Sequence, residues 1–285
     1  MAALSVPRTS FGIRTFVWHS DFIDTHLRGG MERRLPVKVV DAMVEPLWAW
    51  VRAIARSCDA TFAASKWQAQ KLRAHGVERV THLPFGVEKE IFSPAARTEE
   101  TRNRLLQGRR GPLLIAIGRF AVEKRWDVVL DAFVRLNDNE AVLAIFGDGP
   151  DRAEMEARVR GNPNVRFMGF DKDRARLANS LASADVLVHG CPYETFGLGV
   201  AEAIAAGLPV VVPDEGGAAE QAQPRSAELY RAGDANACAE AIVRLLARPD
   251  LRANALVTAA GVPDVEIHFA RLFEIYGDLL SHPRS

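Results

Sequence analysis

From Gly111 onward, apolar and polar positions alternate in a regular way. Apolar runs of about five residues recur at Leu113–Ile117, 141–146, 165–168, 185–188 and 209–212, with a weaker one at 228–230. Between them the period is helical. Trp126, Val129, Leu130, Phe133 and Leu136 fall on one helix face, and Leu177, Leu181 and Ala184 repeat the spacing. Short buried strands alternating with amphipathic helices predict βαβ units and a parallel sheet. Helices are predicted around 235–247, 249–260 and 265–281, which completes a doubly wound domain.

The first hundred residues are less regular. Strands are predicted at 14–18, 60–64 and 79–83, with a long helical stretch over 35–57 interrupted at Pro46. The polar segment 93–100 (SPAARTEE) reads as a linker. The expected organisation is a first domain over 1–95, a second over 96–262, and a final helix over 263–285 that crosses back to the first.

Composition narrows the picture. A chain of 285 residues suggests two domains, and 48% hydrophobic with 25% charged residues is ordinary for globular protein. Lys plus Arg equals Asp plus Glu at 36 each, which argues against nucleic-acid binding by bulk charge. No uncharged apolar run reaches the ~18 residues of a membrane span, and MAALSVPRTSFGIRTF lacks the apolar core of a signal peptide. Cys58, Cys191 and Cys238 are scattered and form no CxxC, so a reducing cytoplasm is the expected compartment.

The densest chemistry lies in CPYETFGLGVAEAIAAGLPVVVPDEGG, which begins at Cys191. A strand ends before it, and a helix opens at about Gly197. Helix N-termini present free N–H groups to anions, and Gly197 and Gly199 let a phosphate approach the backbone. Glu194 and Glu202 flank the turn. Glu202 falls in a helix that is apolar nearly all round, where a buried carboxylate needs a partner. Eight helical positions put the pair ~12 Å apart, beyond the ~5–9.5 Å of glycosidase carboxylates. Two grips on one elongated ligand fit better.

A second motif, GRFAVEK, runs from Gly118 to Lys124 on a strand-to-helix loop. Its Arg119 and Lys124 can clamp a diphosphate. In the third, GDGP, Pro150 is expected at the first helical position. No GxGxxG follows the first strand of either half, and Walker A and GxSxG motifs are absent.

With GRF-x2-EK, GDGP, VRFMG and E-x7-E in that order, the chain resembles the retaining GT-B glycosyltransferases of family 4 over about 14–281. The resemblance implies an α/β fold of GT-B type with two doubly wound Rossmann-like domains, the first incomplete. It implies sugar transfer with retention from a nucleotide diphosphate donor to a glycan or lipid-linked acceptor. The donor is a substrate, and neither a cofactor nor a metal is called for. Arg119 and Lys124 would hold the diphosphate, with Gly118 in the same loop. Glu194 would contact the sugar hydroxyls, and the amides of Phe196, Gly197, Leu198 and Gly199 would surround the sugar and diphosphate. Glu202 would take the ribose hydroxyls, and the backbone at Met168 and Gly169 would face the base. His19 matches the family histidine near the reaction centre, and Phe269, Leu272, Phe273 and Tyr276 would face the first domain.

Two metal readings compete with simpler ones. Asp171 and Asp173 form a DxD, but before a helix Asp is a natural N-cap. His19, Asp21, Asp24 and His26 cluster in sequence, where a strand-to-helix turn also explains the acids.

The first domain departs from the family pattern. Relatives begin with a strand and a Gly-rich loop, for which Gly29 and Gly30 are a poor substitute. The chain is therefore expected to be shortened at its N-terminus, leaving 14–18 and 60–64 each without a neighbour on one side. That departure keeps a non-catalytic nucleotide-sugar-binding module open as the alternative function, and an acceptor-free sugar epimerase as a third. Arg28, Arg33, Arg34 and Lys38, beside Leu35, Val37, Val39, Val40, Trp48 and Trp50, offer a surface for peripheral membrane contact. An ordinary helix with a solvated basic edge is the plainer reading.

Overall fold

The computed structural model describes residues 12–28, 31 and 35–282. Gly29, Gly30, Arg33, Arg34 and the side chain of His26 lie outside the described part. The chain clusters into two compact units. The first comprises the described residues of Met1–Gly86, Tyr193–Phe196 and Val265–Ser285, and the second Val87–Pro192 and Gly197–Asp264.

In the first unit, β1 (Thr15–Trp18) is followed by a π-helical turn, Ile23–Arg28, and then by α1 (Val37–Arg56). Next come β2 (Ala60–Ala63), α2 (Lys66–Ala74) and β3 (Val80–His82). The three strands are parallel in the order β1-β2-β3, with Thr15 opposite Ala60 and Thr61 opposite Val80. β2 is therefore central, paired on both sides, contrary to the expectation for 60–64. β1 has one neighbour among the described residues.

α1 runs unbroken through Pro46, which the sequence marked as an interruption. Its stripe of Val40, Val44, Trp48, Val51 and Ala55 is buried, and Trp48 stacks on Trp18 at 5.8 Å. Pro46 and Ala42, whose carbonyl loses its N–H partner, both face solvent. Water can satisfy that carbonyl, so core packing on the opposite side outweighs the local defect.

The second unit starts before the expected linker. Segment 93–100 is folded into it: Ser183 Oγ accepts from Thr98 N and donates to Thr98 O, both at 3.1 Å. Thr98 then caps α3 (Glu99–Leu106) by accepting from Thr101 N at 3.2 Å. The elements that follow are β4 (Leu113–Ile117), α4 (Trp126–Arg135), β5 (Val142–Phe146), α5 (Arg152–Arg158) and β6 (Val165–Gly169). Then come α6 (Arg174–Ser183), β7 (Val186–Val188), α7 (Leu198–Ala205), β8 (Val210–Pro213), the short α8 (Gly216–Ala219) and β9 (Ala227–Tyr230). The unit closes with α9 (Ala235–Leu246) and α10 (Leu251–Ala260). All six strands are parallel, in the order β6-β5-β4-β7-β8-β9. The central strands are fully buried, which is why they read as unbroken apolar runs. Pro150 lies two residues before α5 rather than at its first position, because the turn from Gly149 to Arg152 intervenes.

The last helix, α11 (Val265–Ser281), belongs to the first unit. Leu272, Ile275, Tyr276 and Leu279 pack on Ala60, Phe62 and Leu83, while Phe269 and Phe273 stay exposed. Among the described residues no helix is long and apolar enough to cross a membrane.

Candidate functional site

In the second unit the chain winds outward from β4 in one direction through β5 and β6, and in the other through β7, β8 and β9. The winding reverses between β4 and β7. Ligands of such sheets bind outside the carboxyl ends of the strands at that reversal. The two loops that leave it, 118–125 after β4 and 189–197 after β7, carry Gly118, Arg119, Lys124, Glu194, Phe196 and Gly197 of the residues singled out in the sequence.

The loop after β4 is held by its neighbour after β5. Gly118 N donates to Phe146 O at 3.0 Å, Phe120 N to Asp148 O at 2.9 Å, and Asp151 N to Phe120 O at 3.1 Å. A Cβ on Gly147 would stand 1.9 Å from Gly118 O, and one on Gly149 would stand 2.4 Å from Phe120 O. The GDGP motif is thus a seat for the cationic loop. Gly147 N also donates to Gly169 O at 2.9 Å, so Gly169, Gly147 and Gly118 lie side by side at the ends of β6, β5 and β4. Met168, next to Gly169, is exposed there.

Arg119 is exposed and pairs with Glu123 at 3.1 Å. Its carbonyl accepts from Trp126 Nε1 at 2.9 Å. Lys124 ends the short 3-10 turn Val122–Lys124 and is half-buried. On the other side, Gly190 packs against this loop so closely that a Cβ would lie 2.6 Å from Lys124 O and 2.7 Å from Arg125 O.

α7 then opens at Gly197, in the left-handed region at φ 87°. A Cβ on Gly199 would come within 2.8 Å of Ile117 Cδ1, so the helix starts in close contact with the end of β4. The first N–H groups of the helix have no acceptor within it. They emerge at the switch point, where the helix dipole adds partial positive charge.

Glu202 follows one turn later and is only 6% exposed. Its partner is Arg174, the first residue of α6, whose Nη2 donates to Glu202 Oε1 at 3.1 Å. Burial pushes the carboxyl above the ordinary range, and Arg174 pulls it back. No motif in the sequence pointed to Arg174. The one available clue was the rule that a carboxylate buried on an apolar helix needs a cation.

Of the remaining singled-out residues, His19, Asp21, Asp24, Glu194 and Phe196 belong to the first unit, and Asp171 and Asp173 to the second. His19 follows β1 and is exposed, and its carbonyl accepts from Thr195 Oγ1 at 3.0 Å. That bond anchors the Tyr193–Phe196 loop, which carries Glu194. Phe196 sits edge-on to Phe85 at 5.4 Å. Asp21 and Asp24 are both bridged by Lys71 of α2. Burial raises the Asp21 carboxyl, with Lys71 opposing it. A buried ion-pair network therefore accounts for these acids. Asp173 caps α6, accepting from Ala175 N at 3.0 Å and Arg176 N at 3.2 Å, and Asp171 pairs with Arg176 at 3.0 Å. Of the DxD pair, Asp173 is thus a helix cap and Asp171 an ion-pair partner of Arg176 on the same helix.

Comparison with known proteins adds the following. Residues 111–248 match the family described as Glycosyl transferases group 1. A GDP-mannose-dependent alpha-mannosyltransferase of Mycobacterium tuberculosis (strain CDC 1551 / Oshkosh) is 38% identical over 183 residues, which is 64% of this chain and 46% of that protein. A GDP-mannose-dependent alpha-(1-6)-phosphatidylinositol dimannoside mannosyltransferase of Mycobacterium tuberculosis (strain ATCC 25177 / H37Ra) is 40% identical over 139 residues, 48% of this chain and 36% of that protein. The chain thus spans less than half the length of these two curated relatives. Among solved structures, the sucrose-phosphate synthase of Thermosynechococcus elongatus superposes with a TM-score of 0.78 at 24% identity, covering 94% of this chain and 68% of that one. At that identity the likeness shows the fold alone.

Proposed function

This chain belongs, through residues 111–248, to the Glycosyl transferases group 1, with a GT-B fold; from that premise we propose that it transfers a sugar, with retention, from a nucleotide diphosphate donor to a glycan or lipid-linked acceptor. The carrying observation is the convergence at the switch point of the second unit. A loop bearing Arg119 and Lys124 packs on Gly190 of the loop after β7, and Gly199 sets the start of α7 against Ile117 at the end of β4. Nothing in that arrangement suits an apolar ligand, whereas a diphosphate matches both the cations and the N–H groups.

In this reading Arg119, Lys124 and the α7 amides of Leu198 and Gly199 stabilise the charge that develops as the diphosphate leaves. Glu202 accepts from the ribose hydroxyls, Gly169 and Met168 border the base, and Glu194 grips the sugar. The resemblance gives His19 a role at the reacting carbon. No cofactor enters the reaction. GDP-mannose, present in both relatives' names, is the first donor to test. A lipid acceptor is supported by the phosphatidylinositol dimannoside in one relative's name and by the exposed Val37, Val39, Met43 and Trp50 of α1. Such a surface suits peripheral attachment to a membrane.

The test is calorimetric. A charge-assisted hydrogen bond contributes ~1.5–3 kcal/mol, or about one to two decades of affinity. Lys124→Ala should weaken binding of a nucleoside diphosphate by that factor and leave binding of the bare nucleoside nearly unchanged. Equal losses for the two ligands would remove the diphosphate assignment.

A further inference from the structure

Arg174 is held from three directions. Its guanidinium lies over the ring of the fully buried Phe92, 4.9 Å from the centroid. Its Nε donates to Glu88 Oε2 at 3.2 Å, and its Nη2 donates to Glu202 Oε1 at 3.1 Å. The planar fork is thereby fixed in one orientation, with one arm committed to the buried carboxylate. Glu202 has no comparable support on its own helix, where Val200, Ala201, Ala203 and Ile204 are all buried and apolar.

The other charged groups around Glu202 do not replace Arg174. Glu88 is a like charge. On α6, Asp173 is spent on the helix cap, and Asp171 pairs with Arg176. On α10, which packs against α7, Arg252 points its guanidinium at the carbonyls of Gly207 and Ala182. Lys89 likewise donates to the carbonyls of Ala260 and Val262. Without Arg174 the carboxyl would be buried beside a like charge, and it would take up a proton. A neutral acid offers one of its oxygens as a donor and can no longer accept from two adjacent hydroxyls.

We propose that Arg174 is a positioning residue of the donor site, keeping the Glu202 carboxylate ionised and oriented to accept from a vicinal diol. The assignment rests on the reading of Glu202 as the ribose grip. It extends the site to α6, whose start then contributes to nucleotide recognition through Glu202 without touching the ligand.

The experiment measures GDP affinity of the full chain by calorimetry from pH 5.5 to 8.5. The terminal phosphate of GDP itself titrates within this range, so each profile is read relative to wild type. Relative to wild type, R174L should bind about tenfold more weakly for each pH unit below the point where its Glu202 titrates, levelling at the affinity of E202Q, and should approach wild type at pH 8.5. R174K, which restores a cation, should run parallel to wild type. R174L/E202Q should also run parallel to wild type, at the affinity of E202Q alone. A second measurement needs no ligand: the urea-denaturation midpoint of R174L/E202Q should rise above that of R174L increasingly as pH rises, because only Glu202 is forced to ionise. An R174L profile parallel to wild type, or a departure from the wild-type profile that survives in R174L/E202Q, overturns the inference alone. A folded wild type that binds no nucleoside diphosphate overturns the functional reading, and the role given to Arg174 with it.

Discussion

The missing side chain of Gly190 is what lets the loops after β4 and β7 touch. A methyl group there would stand 2.6 Å from Lys124 O and 2.7 Å from Arg125 O, both backbone atoms that cannot swing aside. Gly190→Ala must therefore push the cationic loop away from the loop after β7. Overpacking of this kind costs ~1–3 kcal/mol, and nucleoside diphosphate affinity should fall with it. Gly277→Ala is the control: it lies in α11 with nothing within 4 Å of the added Cβ. It should raise stability by ~1 kcal/mol through helix propensity. Urea denaturation and calorimetry on both variants check this, and a Gly190→Ala protein as stable and as competent as wild type would show that the loops can separate freely. The same residues mark what a sequence can disclose at this scale. Gly197, Gly199 and Glu202 are legible because a strand, a glycine turn and an apolar helix follow one another in the chain. Gly190 and Arg174 are not, since their meaning lies in neighbours 65 and 28 positions away, brought near only by the sheet order.

Elements are readable to the extent that burial alone dictates them. β4 and β5 are apolar throughout because both faces are covered, and a continuous run has no other stable use. α2 has the opposite character. It buries only Gln68, Ala69 and Leu72, so no apolar period reveals it. Its remaining signal is a capping pair in which Ser65 accepts from Gln68 N at 3.1 Å, with Gln three residues after Ser. The reverse error occurs in α1, where Pro46 marked a break that packing overrides. Because Pro46 faces solvent, its replacement disturbs no core contact. Pro46→Ala restores the N–H and removes the ring, which should stabilise the chain by about 1–3 kcal/mol. The lower end applies if proline's restriction of the unfolded chain offsets part of the gain. A thermal or urea melt decides the matter, and a loss of stability would mean that α1 depends on a bend at that position.

At the scale of the whole chain, the two units have unequal means of staying folded. The second has six parallel strands, with β5, β4, β7 and β8 each paired on both sides, a core that runs from Leu114 to Leu245 on one face of the sheet, and Leu113, Ile115, Val142, Ala144, Leu187 and Val210 buried on the other. Among its described residues the first has three short strands, of which only β2 is paired on both sides. Its core is split between one cluster around Trp48 and a small one under α11. Alternation along the chain foretold two layers of helices around a parallel sheet. It could not foretell that the winding would reverse between β4 and β7, because strand order depends on which crossovers the helices complete. Hydrogen exchange should register the inequality. Backbone amides of β4, β5, β7 and β8 should exchange only through opening of the entire second unit. Those of β1 and β3 should exchange earlier, through a partial opening that leaves the six-stranded sheet intact. Saturating nucleoside diphosphate should slow exchange in the second unit most, at 118–125 and at the start of α7. Equal protection of β1 and β4 would mean that the chain unfolds as one cooperative body, and that the short sheet draws stability from contacts beyond its own cores.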